Sequence, residues 1–247
     1  MKQSFLLILL FVFLSKNLFT QNLPKGFVEI TDVIPDIILD LRYTTNHNFI
    51  GAPVDGYNAK KCYITRAAAD SLLKVQIELR QFNLSLKVYD AYRPQRAVDH
   101  FVRWAEDLGD TLTKKEFYPN LNKDRLFIDG YIAKKSGHSR GSTIDLTIVS
   151  IPIPYQPEYN IEDQCECFKS IDERFKDNSL DMGTGFDCFH QLSHTLNKEI
   201  GAQQKANRLL LKSLMEKYGF KNLAEEWWHF TLINEPYPDT YFDFEIK

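Results

Sequence analysis

Ser136-Gly137-His138-Ser139-Arg140-Gly141-Ser142-Thr143-Ile144-Asp145-Leu146-Thr147-Ile148-Val149 supports two incompatible readings. Gly137-x-Ser139-x-Gly141 matches the G-x-S-x-G pattern of a nucleophilic serine on a strand-to-helix turn. The same stretch offers His138 and Asp145 as metal ligands. A nucleophile elbow needs an apolar strand before its serine, but Ala133-Lys134-Lys135-Ser136 is too polar for a central parallel strand. It also needs a helix after the serine. Residues 143–149 are instead rich in β-branched side chains, which pack well in a strand and lose rotamer freedom in a helix. Pro152 and Pro154 close off any helical continuation. The order is loop then strand, so Ser139 is read as a loop residue.

The metal reading gains from the same layout. Thr143, Asp145, Thr147 and Val149 share one face of the predicted strand, and Ile144, Leu146 and Ile148 the other. Asp145 can then point away from an apolar core that its neighbours anchor. Gly141 permits a tight loop that returns His138 beside Asp145. Catalytic zinc takes three protein ligands and leaves a fourth position for water. Glu225-Glu226-Trp227-Trp228-His229-Phe230 offers the third ligand in a dry, aromatic setting. Read as a strand, it sends Glu226 and Trp228 one way and Trp227 and His229 the other. Glu226 and His229 then need a bulge or twist to converge. The plainer alternatives are a hydrogen-bonded loop histidine, a strand-edge aspartate and a tryptophan-rich core strand.

Ser136-x-His138-x-x-Gly141-x-Thr143-x-Asp145 with Glu226-x-x-His229 resembles the D-alanyl-D-alanine dipeptidases. These are zinc peptidases related to D,D-carboxypeptidases and to the zinc domain of hedgehog proteins. The resemblance runs from about Leu41 onward. It includes Pro53-Val54-Asp55-Gly56-Tyr57, Asp90-Ala91-Tyr92-Arg93-Pro94, Glu235-Pro236-Tyr237-Pro238 and Tyr241-Phe242-Asp243-Phe244. It implies one Zn2+ per chain on His138, Asp145 and His229, with Glu226 as general base. It further implies that Arg93 stabilises the transition state and that Tyr43, Ser136 and Asp187 line the substrate site. The implied reaction is hydrolysis of the small dipeptide D-Ala-D-Ala to two D-alanines. Alternatives are another peptidoglycan peptidase, either a D,D-carboxypeptidase or an L,D-endopeptidase, and a non-catalytic zinc-stabilised binding module. A binding module needs neither Glu226 nor Arg93. The chain departs from the family at Thr143, where alanine is usual, and in a charged segment at about 157–180 that looks inserted.

Other candidates are weaker. Gly183-Thr184-Gly185 lacks the lysine of a phosphate-binding loop. His190 and His194 are four apart without the glutamate of H-E-x-x-H, and are read as a surface pair. His47 and His100 show no partner and are read as structural. Asn83-Leu84-Ser85 fits a glycosylation sequon at a helix-to-strand junction.

Residues 1–20 read as a secretory signal, with Lys2, an apolar run from Phe5 to Leu14, then a polar stretch. The run is too short to span a bilayer, and no cysteine follows it to carry a lipid, so no stable membrane anchor is expected. The expected compartment is periplasmic or secreted, and the expected domain is 21–247. The formal net charge is −3. Loss of Lys2 and Lys16 leaves 28 basic against 33 acidic residues, or −5, which argues against a nucleic-acid partner. Of the four cysteines, Cys165, Cys167 and Cys188 lie in or beside the 157–180 segment, where a disulfide can staple it; Cys62 lies far off, and the pairing stays open.

The remaining chain suffices for one α+β domain, a small antiparallel sheet flanked by helices with the zinc site in a cleft on the sheet. Helices are expected over 65–82, 95–108 and 203–218, and strands over 86–89, 143–149 and 226–232.

Overall fold

A computed structural model describes residues 23–247, so the expected signal over 1–20 lies outside the described residues. The strands are β1 (Phe27–Glu29), β2 (Ile38–Leu39), β3 (Tyr63–Thr65), β4 (Leu84–Asp90), β5 (Thr143–Ser150), β6 (Phe220–Asn222) and β7 (His229–Leu232). The α-helices are α1 (Ile30–Val33), α2 (Arg66–Arg80), α3 (Gln95–Glu106), α4 (Lys114–Phe117) and α5 (Ala202–Lys217). None of the helices among the described residues is long and apolar enough to cross a membrane.

The main sheet has the order β2-β4-β5-β7-β6. Every pairing is antiparallel except β2 with β4, so the expected antiparallel sheet carries one parallel edge strand. That edge is only two residues long, too short to leave a strand signature in the sequence. β1 and β3 form a separate antiparallel pair.

β5 is buried along almost its whole length. Val88 pairs with Leu146 and Leu86 with Ile148, which puts all four with Ile144 on one apolar face. Helix α2 packs against β4, and α5 against β6 and α2. The Thr65 hydroxyl accepts from Ala68 N–H to cap α2. The opposite face is covered as well, by loops rather than helices. Lys87 is buried there and donates to Asp40, Gln156 and Asn178 at 3.1–3.3 Å. Tyr89 stacks on Phe186. The Gln156 and Asn178 contacts dock the segment around 156–178 onto the sheet. Its middle is tied by a disulfide between Cys167 and Cys188, leaving Cys62 and Cys165 as thiols.

Two local irregularities shape the site. The β4–β5 register slips between Val88 and Asp90, so Asp90 rather than Tyr89 lies opposite Asp145. This bulge turns the Asp90 carboxylate onto the face that carries Asp145. The expected strand over 226–232 begins only at His229. Residues 226–228 form a turn in which His229 N–H donates to Glu226 O at 3.3 Å. Asn222 on β6 steadies that turn, its amide donating to the carbonyls of Glu226 and His229, each at 3.0 Å.

Candidate metal centre

Asp90, Asp145 and His229 lie side by side on three neighbouring strands, because Asp145 pairs with Asp90 on one side and with His229 on the other. Side chains opposite one another on antiparallel strands share a face, so the sheet alone brings two of the predicted ligands together. The third, His138, arrives from a short 3-10 turn, Gly137–Arg140, capped by the Ser136 hydroxyl, which accepts from His138 N–H at 3.3 Å. Gly141 ends that turn with φ of +82°, and a Cβ there would stand 2.3 Å from the Phe27 ring. Only glycine fits on both counts.

Three ligand atoms converge. His138 Nε2 lies 3.2 Å from Asp145 Oδ2 and 3.3 Å from His229 Nδ1, and His229 Nδ1 lies 3.1 Å from Asp145 Oδ1. His138 Nδ1 sits 2.7 Å from the Ala91 carbonyl, which can only accept, so Nδ1 carries the proton and Nε2 keeps a lone pair. Burial, aided by Arg93 and opposed by Asp145, holds the His138 pKa down at about 4, so the ring is neutral near pH 7. Asp145 Oδ1 is buried and accepts no well-directed hydrogen bond, although His229 Nδ1 lies 3.1 Å away. Although burial works to raise the Asp145 carboxyl, His138 and His229 keep it below its ordinary value. A lone pair and a buried carboxylate oxygen aimed at one small volume fit a divalent cation. His138, Asp145 and His229 are the one such cluster among the described residues.

Glu226 reaches the same spot. Its Oε2 is 3.4 Å from His229 Nδ1, and its side chain keeps 24 % exposure to the cleft. Burial, with Asp145 adding, raises its carboxyl above the usual value despite His229 and Arg93. The turn at 226–228 removes the need for a bulge, since it puts Glu226 and His229 on one side while Trp227 and Trp228 are buried. Trp227 donates its indole N–H to Thr184 Oγ1 at 2.8 Å, tying this turn to the glycine-rich loop.

Arg93 is nearly buried. Its Nε donates to Asp90 Oδ2 at 2.9 Å and an Nη to Asp145 Oδ2 at 3.4 Å, while its guanidinium lies 5.0 Å from the Tyr43 and Phe101 ring centres. The Tyr57 hydroxyl donates to Asp90 Oδ1 at 2.7 Å. Burial lifts the Asp90 carboxyl to about 7, against the pull of Arg93 and with Asp145 adding. Asp90 and Tyr57 stand within the sequence motifs, but neither has a role there. The three-residue spacing from Asp90 to Arg93 was the available signal.

Tyr43 and Asp187 also meet, the phenol donating to Asp187 Oδ2 at 2.8 Å. Both line one cavity with Arg93, Ser136, Glu226 and the three candidate ligands. Burial, with Asp145 adding, pushes the Asp187 carboxyl well above its ordinary value. The remaining histidines lie outside this cavity. His47 does have partners, contrary to expectation: Glu116 and Arg42 each lie 2.9 Å away, and Tyr159 stacks on its ring. His100 Nδ1 accepts from Asp55 N–H. His190 caps a 3-10 turn by accepting from Leu192 N–H.

Against known proteins, the peptidase M15 model, described as D-ala-D-ala dipeptidase, matches residues 24–151 and 169–247. The chain is 38 % identical over 223 residues to a D-alanyl-D-alanine dipeptidase of Enterococcus faecalis, covering 90 % of this chain and 99 % of the relative. It is 37 % identical over 220 residues to one of Streptomyces coelicolor, covering 89 % and 98 %. A D-alanyl-D-alanine dipeptidase of Escherichia coli is 30 % identical over 206 residues, 83 % of either chain.

Proposed function

The chain belongs to the D-Ala-D-Ala dipeptidase family, and from that premise we propose that it hydrolyses D-Ala-D-Ala to two D-alanines with one zinc ion. The observation that carries this reading is the convergence of His138 Nε2, His229 Nδ1 and the buried Asp145 Oδ1 beside Glu226. His138, Asp145 and His229 would hold the metal. Zinc, when bound, supplies Lewis acidity toward a carbonyl oxygen and toward water. Glu226, with its raised carboxyl, takes the proton of the attacking water and delivers it to the departing amine. Arg93 presents a permanent positive charge to the oxyanion that develops on the scissile carbonyl. Its two aspartate contacts fix the guanidinium before substrate arrives.

Asp187 takes the substrate ammonium, which favours its ionised form, and the Tyr43 hydroxyl orients it. Ser136 lines the same cavity and contacts the rest of the dipeptide. We assign the enzyme to the periplasm or exterior, in wall-peptide turnover or D-alanine scavenging. The disulfide at Cys167 and Cys188 supports an oxidising compartment. Zinc content and D-alanine release, compared with Glu226→Ala, test the reading. The variant is expected to keep zinc and to lose at least about a hundredfold in kcat. Undiminished turnover would end the assignment.

A further inference from the structure

Asp187 differs from the other acids of the cleft in its backbone, which sits in the left-handed region with φ of +56°. It lies in a loop without regular secondary structure, where a non-glycine residue keeps that conformation only if its surroundings fix it. Cys188, the next residue, is bonded to Cys167. Cys167 is fixed in turn, its N–H donating to Glu116 O at 3.0 Å and its carbonyl accepting from Gly185 N–H at 2.7 Å. The loop is thus held on both sides of Asp187, by a hydrogen bond at Gly185 before it and, after it, by the covalent bond at Cys188 together with hydrogen bonds from Ser193 Oγ to Cys188 O and from Phe189 N–H to Phe117 O. Cys167 falls among residues 152–168, which the family match omits, whereas Asp187 falls inside it.

We propose that Cys188, through its bond to Cys167, is a positioning residue that sets the Asp187 carboxylate for the substrate ammonium, so that the thiol state of the pair governs substrate affinity. This rests on the ammonium role given to Asp187 above. With the bond broken, Asp187 leaves the left-handed region and its contact with the Tyr43 hydroxyl is lost. The metal ligands and Glu226 sit on β5, β7 and the turns beside them, and they stay in place. Binding therefore weakens more than the chemical step.

The test uses the zinc-loaded protein and a water-soluble trialkylphosphine. The S–S bond breaks to two thiols, the phosphine is oxidised to its oxide by gaining the oxygen of one water, and that water's two protons end on the sulfurs. Steady-state kinetics on D-Ala-D-Ala are compared for oxidised, reduced and reoxidised protein. Reduction is expected to raise KM about tenfold with kcat changed less than about twofold, and reoxidation to restore KM. The double variant Cys167→Ser/Cys188→Ser starts at the raised KM and ignores the phosphine, whereas Cys165→Ser responds as wild type does. An unmoved KM overturns the inference. So does a parallel fall of kcat with loss of the native circular dichroism, which makes the bridge a staple only. Absence of turnover by the oxidised wild type overturns the assigned function together with this inference; turnover with an unmoved KM overturns this inference alone.

Discussion

Arg93 divides its donors between two aspartates that do different things. Asp145 is a metal ligand in the proposed site, whereas Asp90 has no contact with the ligand volume except through Arg93 and His138. Lysine cannot reproduce a planar fork that bonds both acids at once. Arg93→Lys is therefore expected to lower kcat by about a hundredfold or more while zinc content is unchanged, which parallel metal analysis and steady-state kinetics will show. Tyr57→Phe probes the other side of Asp90. It removes the donor to a buried carboxyl oxygen and is expected to destabilise the protein by about 1–3 kcal/mol in urea unfolding. At this scale the sequence was informative: His138, Asp145, His229, Glu226 and Arg93 all meet in one cleft. Each sits in a short motif whose local spacing survives folding. Tyr57 and Asp90 escaped because their partnership spans 33 residues and depends on a register slip.

The elements explain why the ligands meet. β5 was legible because Thr143, Ile144, Thr147, Ile148 and Val149 favour a pleated strand and Pro152 stops it. What could not be read was how its neighbours register. The slip between Val88 and Asp90 is set by a strand distant in sequence, and the turn that replaces the first residues of the expected last strand is held by Asn222 close by and by Thr184 far off. The tight turn after His138 is the most demanding element. Gly141→Ala combines a left-handed backbone with a Cβ pressed against Phe27. A loss of about 2–4 kcal/mol in denaturant unfolding is expected, with weaker zinc binding in competition titrations. A stability loss below about 0.5 kcal/mol would mean that the turn tolerates a side chain there.

At the scale of the molecule, a buried polar cluster docks the 156–178 segment on the sheet, and it makes the fold acid-sensitive. Burial lowers the His47 pKa to about 4, helped by Arg42 and only partly offset by Glu116 and Asp177. The unfolded chain binds that proton more readily, so the stability is present above about 6.5 and is lost as pH falls toward about 4. Asp40 behaves similarly at lower pH. Burial would raise it, yet Arg42 and Lys87 bring it to about 2, so its contribution fades as pH falls from about 4 toward about 2. Urea unfolding at pH 7 and pH 4.5 is expected to differ by on the order of 2–3 kcal/mol from His47, and His47→Gln to flatten that slope. The sequence could not give this cluster, because Arg42, Lys87, Glu116 and Asp177 come from four separated stretches with no motif among them.

D-alanine release on metal removal and return decides whether the cluster of His138, Asp145 and His229 holds the zinc of a D-Ala-D-Ala hydrolase, as proposed. Chelator-treated protein is expected to release no D-alanine, and one equivalent of Zn2+ per chain to restore release of two D-alanines per dipeptide. Turnover that persists in metal-free protein, or its absence in fully zinc-loaded protein, would contradict the claim.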